Sequence, residues 1–336
     1  MSINNYTTKS HILKDVKNGK DTNWRGRKID NLYLSSSYER IGFDNKALRV
    51  KECGDFLEFR KTIDDTLRLT NANFCKVRLC PMCSWRRSLK IFGQVSKIMD
   101  YVDTNYDYKY IFLTLTVKNC YGEDLRDTLD LMTHSFSKLS RRKAFKDAIN
   151  GYFRSLEVTY NKKDNTYHPH FHLILAVNKS YFTDTKIYLS QKDWTDLWKQ
   201  SLQIDYTPIV DVRRIKTNDD KTYGKAISEV AKYTVKSNDY LIKDKADEIN
   251  ETLTDEVVFT LDTALHRKRL VSFGFKFKEA HQKLNLDDAE DGDLRDTDNE
   301  ELRDDLTDII LRYQWNIGVK NYTLVEVTED KIEEKE

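Results

Sequence analysis

The segment HPHFH at 168–172 constrains the fold of this chain more than any other, because it makes one side of a strand polar. It continues into the apolar run LILAV at 173–177, which is typical of a buried strand. Successive side chains of a strand point to opposite faces. We therefore expect the three histidines on one face, and Phe171, Leu173 and Leu175 on the other face, packed on a core.

The histidine face indicates a metal site. Three of the seven histidines of the chain lie on it, and imidazoles held side by side commonly bind divalent cations. Glu157, on the strand expected to pair with this one, is the obvious third ligand. With His170 and His172 it offers two nitrogens and one oxygen, which suits Mg²⁺ or Mn²⁺ acting on a phosphate and also admits Zn²⁺ or Co²⁺. The alternative is a solvated polar face with an ordinary surface carboxylate.

Charge is unevenly distributed along the chain. The whole chain carries 56 Lys and Arg against 55 Asp and Glu, but residues 287–336 carry 18 acidic and 6 basic side chains. Their net charge of −12 leaves +13 on residues 1–286. A basic body with an acidic tail favours a polyanionic partner, most often nucleic acid. The tail either solvates the surface or competes with DNA for the basic body.

The expected location is the cytoplasm, without membrane contact. Residues 1–20 are polar, and no run approaches the ~20 apolar residues that span a bilayer. Without an export signal the five cysteines are expected to stay reduced.

The second candidate site is the segment EVAKYTVK, in a helix expected over 223–235. Glu229, Tyr233 and Lys236 would share one helical face at spacings of four and three residues. A phenol, with a pKa near ~10, is a poor nucleophile until a cation stabilises the phenolate. A metal-bound phosphate together with Lys236 or Lys232 would do so, and attack on a phosphodiester would give a phosphotyrosine. Glu229 would then act as a general base; the alternative is an ordinary tyrosine of an amphipathic helix.

Four cysteines predict a structural zinc site. Cys75, Cys80 and Cys83 are closely spaced, and Cys53 lies upstream. Four thiolates satisfy the tetrahedral geometry that structural Zn²⁺ prefers, whereas reduced buried cysteines are the alternative. Cys120 stands apart as a small core residue.

Several basic clusters suit contact with a DNA backbone. One lies beside the cysteines, and others follow the expected strands and helices. The candidate DNA-binding residues are Arg86, Arg87, Lys90, Lys232, Arg213, Arg214, Arg267 and Lys268.

Taken together, these segments resemble the HUH endonuclease superfamily, and more narrowly the replication initiator (Rep) proteins of small rolling-circle plasmids of Gram-positive bacteria. The resemblance covers roughly residues 50–290. It is carried by FLTLTVKN at 112–119, EVTYNKKDNTYHPHFHLIL at 157–175, EVAKYTVK at 229–236 and CKVRLCPMCSWRRS at 75–88, with LHRKRLVSFG at 265–274 and KLNLDD at 283–288 similar to the same group.

The mixture of helices with strand pairs joined by short turns predicts an α+β domain around an antiparallel sheet. The resemblance implies that this domain is a ferredoxin-like or RNA-recognition-like HUH nicking domain. With it we expect a small N-terminal four-cysteine zinc-knuckle unit and a C-terminal helical and acidic extension. The expected segments are 1–45 (polar), 46–100 (zinc and DNA binding), 101–245 (nicking domain), 246–286 (helical and basic), 287–308 (acidic linker) and 309–336 (C-terminal).

The resemblance also implies site residues and partners. Metal ligation falls on His170 and His172 with Glu157 as third ligand, the nicking tyrosine is Tyr233, and Glu229 matches a carboxylate that ends replication through water. The implied partners are the plasmid double-strand origin, single-stranded at the nick site, a host helicase, a polymerase and a second copy of the chain.

Three other functions remain open at this stage. A transposase or relaxase would share the histidine site, a zinc-containing DNA-binding regulator would not nick, and a metal-dependent hydrolase using water would leave no covalent adduct. Tyr240, seven residues after Tyr233, is the other candidate nucleophile.

Overall fold

The computed structural model describes residues 12–17, 19–215, 223–231, 235–297 and 306–329. Within these ranges the chain forms eleven strands and nine α-helices. The strands are β1 (Val16–Lys17), β2 (Lys20–Asp21), β3 (Phe56–Thr62), β4 (Leu67–Ala72), β5 (Tyr108–Thr116), β6 (Ile149–Asn161), β7 (Thr166–Asn178), β8 (Val210–Arg214), β9 (Val271–Phe275), β10 (Leu306–Asn316) and β11 (Asn321–Glu329). The helices are α1 (Trp24–Arg40), α2 (Asp44–Glu52), α3 (Pro81–Asn105), α4 (Leu125–Arg141), α5 (Lys143–Ala148), α6 (Gln191–Leu202), α7 (Gly224–Val230), α8 (Glu251–Leu265) and α9 (Lys276–Lys283).

The chain divides into two compact units. The first unit comprises Met1–Cys83, Leu294–Asp296 and Glu300–Glu336, and the second comprises Ser84–Asp293 and Thr297–Asn299. The expected α+β architecture with antiparallel sheets is confirmed.

The first unit is built on a four-stranded antiparallel sheet in the order β11-β10-β3-β4. Phe59 of β3 lies at its centre, with the rings of Trp24 and Tyr313 packed edge-on at 5.7 and 6.0 Å. Residues 1–45 were expected to be a polar segment, but α1 contributes buried Leu34 and Tyr38 to the core. Its apolar stripe is diluted by buried polar residues, so the helical period is weak in the sequence.

The C-terminal segment extends the sheet of the first unit. Residues 306–329 form the two strands β10 and β11, and the helices within the segment 246–286, expected to be helical, are α8 and α9. β10 pairs with β3, placing Leu311 opposite Phe59. That partner lies about 250 residues earlier in the chain, and sequence periodicity carries no information about so distant a pairing.

The second unit is built on a five-stranded antiparallel sheet in the order β8-β5-β7-β6-β9. The predicted pairing of β6 with β7 through a short polar turn is confirmed. Asn165 closes that turn with a φ of 48°, a left-handed conformation that asparagine tolerates. β7 therefore lies in the middle of the sheet, with β5 and β6 on either side.

One face of this sheet is the apolar core. Phe171 and Leu173 are fully buried there, and Trp198 of α6 packs against Phe171 with ring centroids 6.3 Å apart. α6 begins with a capping box between Ser190 and Asp193, which satisfies two backbone N–H groups at the helix start. The opposite face of the sheet carries the histidines, as the alternation of β7 predicts.

None of the helices within the described ranges combines the length and the apolarity that crossing a bilayer requires.

Candidate active site and cysteine cluster

The register of two strands, β6 and β7, brings the predicted metal ligands together. Glu157 of β6 lies directly opposite His170 of β7, and His172 follows two residues along the same face. Glu157 Oε2 lies 3.2 Å from His170 Nε2 and 3.0 Å from His172 Nε2. The three donor groups are buried or half-buried, as a protein-built cation site requires.

The other nitrogen of each ring is held by a neighbour. His172 Nδ1 lies 3.2 Å from the hydroxyl oxygen of Thr114, its cross-strand partner on β5. His170 Nδ1 lies 3.2 Å from the backbone carbonyl of His168. A carbonyl oxygen only accepts, so His170 donates from Nδ1. Its Nε2 faces Glu157 Oε2 as a hydrogen-bond partner, and it is the nitrogen that a cation would take when bound. Contacts of this kind orient metal-binding histidines.

The spacing of the donor atoms fits a divalent cation. Cis ligands of an octahedral ion with bonds of about 2.1 Å are about 3.0 Å apart. Glu157 Oε2 lies at this distance from the two imidazole nitrogens, 3.0 and 3.2 Å. The donor set of two nitrogens and one oxygen also fits such an ion.

A lysine completes the charge balance of the site. Lys236 Nζ lies 3.1 Å from the second oxygen of Glu157, Oε1. Burial by itself raises the pKa of Glu157, but hydrogen bonds from His170 and His172 and the charge of Lys236 outweigh it, so the pKa lies well below its usual range. Burial lowers the pKa of Lys236, but the Glu157 carboxylate raises it by more. Both groups are therefore charged, and the carboxylate is ready to bind a cation.

The predicted nucleophile segment is only partly described. Helix α7 packs on β7 and carries Glu229, but it ends at Val230, short of the helix expected over 223–235. Lys232 and Tyr233 lie outside the described residues. Tyr240, the other candidate nucleophile, has a fully buried side chain, which favours a packing role.

The four predicted cysteines cluster in the first unit. Cys53 Sγ lies 3.5 Å from the sulfurs of both Cys80 and Cys83, and Cys75 Sγ lies 3.7 Å from that of Cys83. A tetrahedral zinc with Zn–S bonds of about 2.3 Å places sulfurs about 3.8 Å apart, so the cluster fits this ion. Cys120 is not a member.

Backbone and polar side chains surround these sulfurs. Amide N–H groups of Cys75, Lys76 and Val77 donate to three of them at 3.3–3.4 Å. Burial raises the pKa of the Cys80 thiol, so in the absence of a cation that thiol stays protonated. The Asn31 carbonyl oxygen lies 3.3 Å from Cys80 Sγ.

Two of the residues around these sites were missed by the sequence reasoning. Lys28 is fully buried, pairs with Asp55 at 2.5 Å and donates to the Cys53 carbonyl at 3.0 Å. Asn31 lies one helical turn away. Only their spacing of three residues in α1 would have indicated a shared face.

The predicted DNA-binding residues separate into two groups. Arg213, Arg214 and Arg267 are exposed. Lys268 is mostly buried and pairs with Asp130. The buried residues Arg86, Arg87 and Lys90 cannot present their charge to a DNA backbone, which corrects the expectation for the basic cluster on α3.

The acidic residues after position 286 explain this burial. Lys90 Nζ pairs with Asp287 at 3.1 Å and donates to the Asp293 carbonyl, while Arg87 Nε donates to the Glu290 carbonyl at 2.9 Å. Glu290 is itself buried and accepts from the amides of Leu270 and Val271, where β9 begins. Residues 287–293, expected to be a linker, are thus packed within the second unit.

Comparison with known proteins identifies the family. A family model described as "Replication protein" matches residues 66–323. The chain is 40% identical to "Protein rep" of Bacillus amyloliquefaciens, over 93% of this chain and 97% of the relative. It belongs to the Rep family of plasmid replication initiators. A "Protein rep" of Streptococcus pneumoniae serotype 2 is also 40% identical, over 93% of this chain and 94% of that Rep protein. A "Replication protein" of Staphylococcus aureus is 40% identical over 65% of this chain and 91% of its own length. No solved structure matches the chain significantly.

Proposed function

We propose that this Rep protein starts rolling-circle replication by nicking one strand of its plasmid origin. The observation that carries the proposal is the convergence of Glu157, His170 and His172 on one face of an antiparallel sheet, with donor atoms 3.0–3.2 Å apart. Burying a carboxylate beside two imidazoles costs desolvation free energy. A bound cation would offset that cost, which supports a metal site here.

These three residues would hold Mg²⁺ or Mn²⁺, which when bound polarises a phosphoryl oxygen and stabilises negative charge on the phosphate. Glu157 contributes a permanent negative charge, because its pKa lies far below neutral pH. Thr114 and the His168 carbonyl keep the two imidazoles oriented.

Tyr233 would be the nucleophile. It lies three residues before Lys236, a contour length of about 11 Å, and Lys236 Nζ contacts Glu157. The phenol oxygen forms a bond to phosphorus and loses its proton, while the bond between phosphorus and the 3′-oxygen breaks and that oxygen gains a proton. The products are a 5′-phosphotyrosine and a free 3′-OH that a polymerase can extend. Lys236 would stabilise the phenolate.

Glu229 would act at the end of a replication round. By family resemblance its carboxylate removes a proton from water, which attacks the phosphotyrosine and releases the phenol of Tyr233. The half-buried position of Glu229 on α7, the helix that packs on β7, supports this role.

The remaining assignments follow the same resemblance. Zn²⁺ would be held by Cys53, Cys75, Cys80 and Cys83 as a structural ion, since their sulfurs have tetrahedral spacing. The exposed side chains of Arg213, Arg214 and Arg267 are the DNA contacts that we retain. Host helicase, polymerase and a second copy of the chain are the expected partners at the origin.

Covalent capture tests the proposal. The protein is incubated with single-stranded origin DNA and Mn²⁺ and run on a denaturing gel, with Tyr233→Phe and the matched control Tyr240→Phe. We expect an adduct that is lost only in Tyr233→Phe. An adduct that survives in Tyr233→Phe moves the nucleophile elsewhere. Cleavage without any adduct indicates a water-using hydrolase, and a gel shift without cleavage indicates a non-nicking regulator.

A further inference from the structure

The histidine face of the five-stranded sheet extends beyond the metal ligands to the edge strand β8. Residues directly opposite one another on neighbouring strands share a face, and the row next to that of His172 consists of Arg213, Phe112, Ile174 and Phe153. Ile174 and Phe153 are fully buried. Phe112 is half-buried, and the Arg213 side chain is 75% exposed. Exposure therefore rises along this row from the centre of the sheet to β8.

Phe112 brings an aromatic ring to the border of the metal site. Its ring centroid lies 5.5 Å from that of His172, a proposed metal ligand. Thr114, the next residue of β5 on this face, is also half-exposed and contacts the same imidazole. The accessible part of the histidine face thus lies beside the position that a bound cation would take.

Arg213 places a positive charge next to this ring. It lies directly opposite Phe112, and Asp211, two residues earlier on β8, shares its face. Arg213 Nε pairs with Asp211 Oδ2 at 2.7 Å, which orients the guanidinium. A guanidinium has five N–H donors, of which one carboxylate takes at most two, so donors remain for a phosphate.

We propose that Phe112 and Arg213 form the subsite for the nucleotide next to the scissile phosphate, an inference that rests on the proposed nicking function. The base would stack on the Phe112 ring, and the phosphate of the same nucleotide would bind the Arg213 guanidinium. Sites for single strands combine these two elements, a cation along the backbone and an aromatic ring under a base. A free phosphate would use the guanidinium but not the ring, whereas a nucleotide uses both.

The subsite would position the strand without reading its sequence. Every base has a π-face, so stacking on an aromatic ring tolerates any base. The Phe112 ring is close to the His172 ring, so a base stacked on it belongs to a nucleotide adjacent to the phosphate on the cation. Holding that nucleotide would keep the scissile phosphate in place for attack.

Binding of strands with and without bases tests this inference. The Tyr233→Phe protein, without added Mg²⁺ or Mn²⁺, is titrated by fluorescence anisotropy with a labelled dT oligomer. A second titration uses an abasic oligomer of the same length, which keeps the phosphates and lacks the bases. Adding Phe112→Leu should weaken binding of the dT oligomer at least about 5-fold, the loss of one base–aromatic stack, and leave binding of the abasic oligomer unchanged. Phe112→Tyr keeps a ring and should bind both oligomers as before.

Two further variants separate stacking from charge and from the loss of any phenylalanine. Arg213→Met should weaken binding of both oligomers by the same factor, because it removes a phosphate contact. Phe259→Leu is the matched control and should change neither affinity, since Phe259 lies on α8 outside this face and is 49% exposed.

Photo-crosslinking tests the stack with the Phe112 ring intact, so the inference stays testable if Phe112→Leu does not fold. A dT oligomer that carries 5-iodouracil is bound to the Tyr233→Phe protein and irradiated, and the crosslinked peptide is identified by mass spectrometry. We expect the crosslink at Phe112.

Three results would overturn the inference: an equal loss for both oligomers in Phe112→Leu, no loss for either, or a crosslink that maps outside β5. The outcome is separate from that of nicking. A covalent adduct without base-dependent binding at Phe112 removes only this inference, whereas base-dependent binding without an adduct removes only the nicking mechanism.

Discussion

Replacing Thr114 by valine should weaken the metal centre without touching a ligand. The Thr114 hydroxyl lies 3.2 Å from His172 Nδ1. When a cation takes Nε2, Nδ1 carries the proton and the hydroxyl accepts it, which fixes the tautomer and the angle of the ring. Valine has nearly the same shape but no acceptor.

The expected magnitude follows from this single contact. A hydrogen bond to a charged or cation-bound group contributes about 1.5–3 kcal/mol, and removal of such an outer partner weakens metal binding about 10- to 100-fold. We therefore expect the Mn²⁺ dissociation constant of Thr114→Val to rise by that factor. Mn²⁺ titration followed by electron paramagnetic resonance measures it directly and needs no DNA.

Thr116→Val is the matched control. Thr116 lies two residues along the same strand, opposite His170, but its hydroxyl donates to the Ile209 carbonyl at 2.9 Å and not to a ring. This variant should lose about 1 kcal/mol of folding stability and keep its Mn²⁺ affinity. Unchanged Mn²⁺ binding in Thr114→Val, or an equal loss in both variants, would refute the reasoning.

Three further predictions concern the cysteines, the buried lysine and pH. Cys80→Ser should contain no bound zinc in elemental analysis and should melt at a lower temperature, whereas the control Cys120→Ser should retain the metal. Zinc in both variants would show that Cys80 is not a zinc ligand. Lys90→Met should lower the free energy of unfolding by about 2 kcal/mol and leave the salt dependence of DNA binding unchanged, because Lys90 is buried. Arg213→Met should weaken the salt dependence of DNA binding and leave the melting temperature unchanged, because Arg213 is exposed. The reverse pattern would contradict the assignment of Lys90 to the core and Arg213 to the DNA-binding surface. Without metal, Glu157→Gln should destabilise the protein at neutral pH, because the depressed pKa of Glu157 gives stability that is present above the unfolded value of about 4.3 and is lost only as the pH falls through the folded value. The difference in melting temperature between the wild type and Glu157→Gln should therefore be the same at neutral pH and at about pH 5. A difference that disappears by about pH 5 would contradict this prediction.

Much of the candidate site could be predicted because its information is local. The alternation in HPHFH placed His170 and His172 on one face, and the short turn after β6 made Glu157 their cross-strand neighbour. The spacing of Cys75, Cys80 and Cys83 likewise predicted a cluster that the structure contains. In each case the residues are close in sequence, so strand period and turn length determine their proximity.

The errors arose where a residue's surroundings come from a distant segment. Arg87 and Lys90 lie in a basic run that suggests a surface, yet segments about 200 residues later bury them. The contact of Thr114 with His172 likewise depends on the pairing of β5 with β7, which places the threonine hydroxyl beside the ring.

The sequence by itself determined which side chains share a face, since that depends only on the period of a strand or helix. Tertiary structure alone decided what each face meets. It assigned β10 to the sheet of β3 and covered the basic residues of α3 with residues 287–293. It also left one oxygen of Asp15 buried without a donor among the residues that the structure describes. The physical reason is that burial and hydrogen-bond satisfaction depend on contacts between residues far apart in the chain, which no local periodicity records.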